Sequence, residues 1–133
     1  MPQEQLIFLQ RRCEMIRIEL PMPPSVNKMF ANVPGKGRVR TKTYRAWSHE
    51  AGFMLVAQRN AGGKHKTIDG PVSVLVEAYR PANKKRDLDN ILKALLDLLT
   101  NTSTIKDDSQ VIELTARWVN SGPPCVLIVR EAA

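Results

Sequence analysis

Apolar and polar residues alternate from Met15 to Leu20, with Ile16, Ile18 and Leu20 on one side and Arg17 and Glu19 on the other. That alternation predicts a half-buried strand. Pro21, Pro23 and Pro24 end it, since proline has no N–H to give to a ladder. From Ser25 to Thr43 neither period is present, and the stretch reads as a long loop rich in Gly, Pro and Asn. Tyr44, Trp47, Ala51, Met54, Leu55 and Gln58 then recur at three-to-four spacing, predicting a helix from near Thr43 to near Asn60 that Ala61-Gly62-Gly63 stops. Lys64 to Gly70 is a connector. Val72, Val74, Val76 and Ala78 alternate again, a strand over Val72 to Tyr79, and Arg80 to Arg86 is a loop. Leu88, Ile91, Leu92, Leu95, Leu96 and Leu99 give a broad apolar face to a second helix from near Asn90 to Thr100, which Asn101-Thr102-Ser103-Thr104 breaks. Ile112, Leu114, Ala116 and Trp118 alternate with Glu113, Thr115 and Arg117 in a further strand. Ser121-Gly122-Pro123-Pro124 turns the chain into a last apolar strand, Cys125 to Val129. The order strand, helix, strand, helix, strand, strand predicts an α/β (mixed α+β) fold, one domain over 15–133 with helices packed on a mixed sheet. Residues 1–14 read as an N-terminal extension.

A length of 133 residues leaves room for one ordinary domain. Charge changes the picture more. Twenty Lys and Arg against thirteen Asp and Glu leave a formal +7, and such a chain attracts polyanions through phosphate contacts that release counterions. The positive charge is clustered: Lys28, Lys36, Arg38, Arg40 and Lys42 in the first loop, Lys84, Lys85 and Arg86 in the third. Clustering favours nucleic acid over a basic surface kept only for solubility. Cys13 and Cys125 are too far apart for a zinc pair and too few for a disulfide framework, which suits free thiols in a reducing cytoplasm. No run reaches the roughly 18 apolar residues of a membrane span, and Leu6-Ile7-Phe8-Leu9 is too short for a signal-peptide core.

The candidate chemistry is acidic. Asp87 and Asp89 sit between a basic loop and an apolar helix, and in an extended piece two such side chains face the same way. Hard divalent cations such as magnesium take carboxylate oxygens and keep several waters, so two or three acids suffice. Simple helix capping is the competing explanation, since Asp suits an N-cap. It accounts for one Asp better than for two. A second pair, Asp107-Asp108, follows the helix. A helix of eleven residues is about 16 Å long, and the eight residues from Thr100 to Asp107 reach up to about 26 Å, so the pairs can converge. Converged carboxylates repel one another unless a cation sits among them. Capping of a short helical piece before Val111 again competes. Lys93 lies one turn after Asp89, either as a cation for developing phosphate charge or as a salt-bridge partner of Asp89 or Asp97. Trp47 and Trp118 read as core, and nothing places His49 or His65 near the acids.

Arg86-Asp87-Leu88-Asp89-Asn90, then Lys93-Ala94 and Asp97, then Asp107-Asp108-Ser109-Gln110, resembles the signature of the RusA family of Holliday-junction resolvases. Pro23-Pro24-Ser25-Val26-Asn27 is similar to that family's N-terminal motif, Tyr44 and Trp47 fall where its first helix begins, and the likeness runs from about Ile16 to Val129. The resemblance implies a homodimer that binds four-way junction DNA and makes paired symmetric nicks with Mg2+ or Mn2+, without a small-molecule cofactor. It implies a cytoplasmic protein of DNA recombination and repair, in a bacterial, phage or prophage setting. Asp87, Asp89 and Asp108 match the family's essential metal-binding acids and Lys93 its essential lysine. Asp107 matches an adjoining acid that can share the metal, Asn90 would orient a carboxylate or contact the DNA backbone, and the basic loops would contact DNA. Where many relatives carry a glycine and a bulky aromatic before the second acids, this chain has Asn101-Thr102-Ser103-Thr104-Ile105-Lys106. On the residues alone, a DNA-binding module without catalysis and a broader branched-DNA or flap nuclease stay open.

Overall fold

The computed structural model describes residues 15–64, 66–80 and 85–132. The expected extension 1–14 with Cys13, and also His65 and Lys84, lie outside these residues. The described elements are β1 (Met15–Leu20), β2 (Phe30–Val33), β3 (Gly37–Arg40), α1 (Lys42–Ala61), β4 (Val72–Tyr79), α2 (Leu92–Asn101), β5 (Val111–Val119) and β6 (Cys125–Glu131), with short 3₁₀ turns at Val26–Lys28, Leu88–Ile91 and Asp108–Gln110.

Four strands form one mixed sheet in the order β1-β6-β4-β5. β6 pairs antiparallel with both β1 and β4, so that Leu127 lies opposite Ile18 on one side and Val76 on the other. β4 and β5 are parallel, with Val76 beside Ala116. A parallel pair needs a crossover, and α2 supplies it. The core is the inward set that the period-two patterns mark: Ile16, Ile18 and Leu20, Val72, Val74, Val76 and Ala78, and Leu127 and Val129. Onto it pack Tyr44, Trp47, Ala51 and Leu55 of α1 and Ala94, Leu95, Leu98 and Leu99 of α2.

α1 starts at Thr41, whose side chain accepts from the Tyr44 N–H. Gln58, near its other end, points at the sheet edge for a reason the apolar spacing hid. Its Oε1 accepts from the Glu19 N–H and its Nε2 donates to the Glu19 carbonyl, both at 2.8 Å. The amide stands in for a neighbouring strand and closes part of the β1 edge.

Three expectations need correction. The stretch from Ser25 to Thr43 is not a featureless loop: β2 and β3 form an antiparallel hairpin, Ala31 opposite Val39. Gly35 and Gly37, at φ of 78° and 74°, take the left-handed positions of its turn. The strands are too short for a visible period, and ring contacts help hold them. The Arg38 guanidinium lies 4.2 Å over the Phe30 ring, and Phe30 meets Tyr44 edge-on at 5.7 Å. Second, the helix expected from Asn90 begins as a 3₁₀ turn at Leu88 and becomes α-helical only at Leu92. Third, the apolar side of β5 is only half covered. Ala116 and Trp118 pack against the core, but Ile112 is 65% and Leu114 39% exposed.

The segment from Asn101 to Lys106 is well tied down. α2 ends with Ser103 at φ 56°, while the Thr104 N–H reaches the Leu99 carbonyl and the Ser103 N–H that of Thr100. These are the two bonds of a helix stop that normally carries glycine at the left-handed position. Arg59 of α1 then donates to the Thr102 carbonyl at 2.8 Å and to the Thr104 hydroxyl at 3.1 Å. Cys125 is a free buried thiol, as expected, and burial pushes its pKa up to about 12.

Candidate active site

The two acidic segments both open 3₁₀ turns, and they use their carboxylates differently. Asp87 occupies the N-cap position of Leu88–Ile91 with an extended backbone, yet its side chain makes no capping bond. Among the described residues its side chain is met only by the Asn90 amide, at a long 3.5 Å. Asp89 lies inside the turn, is exposed, and has no hydrogen-bond or ion-pair partner among the described residues. The piece is therefore not extended throughout, but both acids still line one hollow of about 540 Å³, floored by Leu92 of α2 and by Ala116 and Trp118 of β5. Capping explains neither carboxylate.

At the second segment capping explains Asp107 and leaves Asp108. Asp107 Oδ2 accepts from the Ser109 N–H at 2.9 Å. The Ser109 side chain first, then the Ser109 and Asp108 N–H groups, hold its carboxyl below the ordinary value. Gln110 answers from the other side: its Oε1 accepts from the N–H groups of Lys106 and Asp107, at 2.7 and 2.9 Å. Its Nε2 donates to the carbonyls of Ile68 and Gly70 at 2.7 and 2.8 Å. One amide thus clamps the whole turn to the connector before β4. Asp108, half-buried, accepts from the Thr100 hydroxyl at 2.9 Å on its Oδ1.

Lys93 resolves its two candidate partners in favour of Asp97, to which its ammonium donates at 2.9 Å. That hydrogen bond is the main reason its pKa is raised, with burial opposing and the charges of Asp97 and Asp108 adding to it. Lys93 and Thr100 lie seven residues apart, on one face of α2, and Thr100 is the residue that bonds Asp108. The structure thus relates Lys93 to Asp108, and Asp87 to Asp89. Among the described residues no three of His, Cys, Asp and Glu stand close enough together to hold a metal ion. The two acidic pairs, which the chain length allows to converge, are not drawn into one cluster. Their chemistry nevertheless fits a hard divalent ion: carboxylate oxygens only, with Asp89 unpartnered and Asp108 keeping a second oxygen beyond its single hydroxyl donor.

Positive charge borders Asp87 from two segments, at Lys28 and at Lys85 and Arg86. Lys28, Lys36, Arg38, Arg40 and Lys42 are exposed on the hairpin and its ends, and Lys85 on the approach to Asp87. Arg86 is half-buried, and its Nη2 donates to the Pro23 carbonyl at 2.9 Å, joining the acidic segment to the proline-rich one. Between these two segments and α1 lies a second hollow, about 1080 Å³, with Lys28, Lys85, Arg86 and Asp87 on its wall. Trp47 is structural, its indole N–H on the Pro21 carbonyl. Glu77 pairs with Arg117 and takes no part in the site. Trp118, expected simply as core, is half-buried and forms part of the acidic hollow. The residues that sequence spacing did not identify as supports are Tyr44, Thr100 and Gln110, whose bonds run to atoms 53, 8 and 42 positions away.

A family model described as Endodeoxyribonuclease RusA matches residues 21–129. The Crossover junction endodeoxyribonuclease RusA of Escherichia coli strain K12 is 31% identical over 96 residues, which cover 72% of this chain and 76% of that protein. Proteins of the same description from Enterobacteria phage 82 and Shigella sonnei are each 29% identical over the same shares.

Proposed function

We infer that this chain, which belongs to the RusA family of endodeoxyribonucleases, resolves four-way DNA junctions by paired, symmetric, magnesium-dependent nicks. The observation that carries the reading is the pair Asp87 and Asp89: two exposed carboxylates, neither used as a cap, beside a lysine-bearing helix and between basic segments. A module that only bound DNA would have no use for them.

Asp87, Asp89 and Asp108 are the residues that would hold Mg2+ or Mn2+. Such an ion supplies an activated water and stabilises the leaving oxygen of a phosphodiester, giving a 5′-phosphate and a 3′-hydroxyl. The chain's own groups do the rest. Lys93 offsets charge that develops on the phosphate. Asp107 caps the turn that presents Asp108 and lies outside the ligand set in this reading. Lys28, Lys36, Arg38, Arg40, Lys42, Lys84, Lys85, Arg86 and Asn90 form the surface that positions the DNA backbone.

Two symmetric cuts need two sites related by a two-fold axis, so a homodimer fits the reaction. The half-covered side of β5, where Ile112 and Leu114 are exposed on the strand whose Ala116 and Trp118 line the acidic hollow, is the surface we assign to the second copy. The domain 15–133 carries the activity, and the bacterial and phage sources of the relatives support a cytoplasmic setting. No described helix is long and apolar enough to cross a membrane.

The test is a synthetic four-way junction incubated with and without magnesium. The wild-type chain nicks it symmetrically only with the ion, and Asp89→Asn binds it with unchanged affinity and does not cut. Normal magnesium-dependent nicking by Asp89→Asn would sink the assignment.

A further inference from the structure

A lysine on the surface of a helix usually samples many rotamers, because its four-carbon stem is flexible and its ammonium is satisfied by water. An exposed ion pair one turn away does little to hold it. The partner of Lys93 is different. Asp97 has only 21% of its side chain exposed. One oxygen accepts from Lys93 at 2.9 Å and the other from the Tyr44 hydroxyl at 3.3 Å. A carboxylate bonded at both oxygens cannot turn freely about its terminal torsion.

Tyr44 is itself fixed. It is 1% exposed, at the start of α1, with Phe30 of the hairpin edge-on to its ring at 5.7 Å and an interplanar angle of 68°. The Arg40 guanidinium lies 5.3 Å over its face. Burial and the neighbouring Asp97 charge both raise the phenol's pKa, so it stays a hydroxyl donor. A line of defined contacts therefore runs from the hairpin through Tyr44 and Asp97 to the Lys93 ammonium.

We propose that Asp97 and Tyr44 are positioning residues for DNA cleavage: Tyr44 sets the Asp97 carboxylate, and Asp97 sets the place of the Lys93 ammonium beside the acidic site. The inference rests on the reading of Lys93 as the group that offsets charge on the scissile phosphate. Asp97 is not a metal ligand in it, since both of its oxygens are already engaged.

Asp97→Asn and Tyr44→Phe keep the shape of each side chain, and thermal melts verify that both variants are folded. The measurement is the single-turnover nicking rate of a synthetic junction at saturating protein, beside junction affinity with calcium in place of magnesium. Asp97→Asn slows nicking about tenfold or more, the scale of a misplaced catalytic group. Tyr44→Phe slows it less, and the double variant is no slower than Asp97→Asn alone, because the hydroxyl works only through the carboxylate. Affinity for the junction and the magnesium concentration for half-maximal rate stay as in the wild type. Wild-type rates in both single variants, independent effects that multiply in the double variant, or a raised magnesium requirement in Asp97→Asn would each overturn the proposal, the last by making Asp97 a ligand. A wild-type chain that fails to cut the junction at all would overturn the function instead.

Discussion

The segments Asp87–Asn90 and Asp107–Gln110 look alike on paper: each opens with an acid, bends into a 3₁₀ turn and ends on a side-chain amide. Their amides behave in opposite ways. Asn90 reaches Asp87 only at 3.5 Å, whereas Gln110 makes four bonds of 2.7 to 2.9 Å that close a capping box and lash the turn to the connector before β4. The first segment leaves its carboxylates to an incoming group. The second holds Asp107 in its own backbone and presents Asp108 from a rigid turn. A metal site that drew on both segments would have one fixed side and one adaptable side.

The sharpest way to break this contrast is to remove one acid from each segment. Asp89→Asn abolishes nicking. Asp107→Asn leaves nicking in place and acts on stability. The signs of its pH dependence follow from the lowered carboxyl. The stabilisation by Asp107 is fully present above the ordinary value of 3.8 and fades as pH falls through the lower folded value. Acid unfolding monitored by circular dichroism should show the wild type losing its advantage over Asp107→Asn only at the acid end. Loss of nicking in Asp107→Asn equal to that in Asp89→Asn would erase the difference between the segments.

Next in size is the clamp. Gln110→Ala removes four bonds and leaves the Lys106 and Asp107 N–H groups and the Ile68 and Gly70 carbonyls to find water, a loss of about 2 kcal/mol. Denaturant unfolding measures it. If the turn presents Asp108 as described, the same variant also needs more magnesium for half-maximal nicking. Asn90→Ala, without a comparable set of bonds, should leave unfolding nearly unchanged. Equal destabilisation by the two amide variants would contradict the picture of one rigid and one open segment.

What was legible in the sequence follows the same division. The strands β1, β4 and β6 and the body of α1 could be read because burial on one side imprints a period on consecutive residues, and Ile16, Ile18 and Leu20 carry it plainly. The acids stood out because two short acidic pairs flank one helix, but spacing alone could not tell the cap, Asp107, from the uncapped Asp87 and Asp89. That distinction depends on where N–H groups point. The β2–β3 hairpin was hidden because its four-residue strands are held partly by Arg38 on Phe30 and Phe30 on Tyr44, contacts that leave no period. β5 was read as an ordinary half-buried strand, since alternation marks a face without saying what covers it. Tyr44, Gln58 and Gln110 sat unnoticed as supports because each acts on atoms far away in sequence.

The smallest effect concerns the strand of chain that delivers the rigid segment. Ser103 holds φ at 56°, a left-handed conformation that crowds any side chain, in a helix stop whose two bonds are both made. It is kept there by its surroundings: Arg59 fastens Thr102 and Thr104 on either side, and the fully buried Thr104 leads into Ile105, which bridges to Ile68. Glycine adopts the conformation without strain. Ser103→Gly should therefore stabilise the fold by about 1 kcal/mol, a rise of roughly 4 °C in Tm, after allowance for the greater freedom of the unfolded chain. Because the strain lies in the connection and not in the clamped turn, the rate and magnesium dependence of nicking should not move. A Ser103→Gly variant that melted lower than the wild type would show that the serine side chain contributes more than its backbone strain removes. One that melted higher but cut with altered magnesium dependence would show that the strain reaches Asp108, and that the second segment is less rigid than its four bonds suggest.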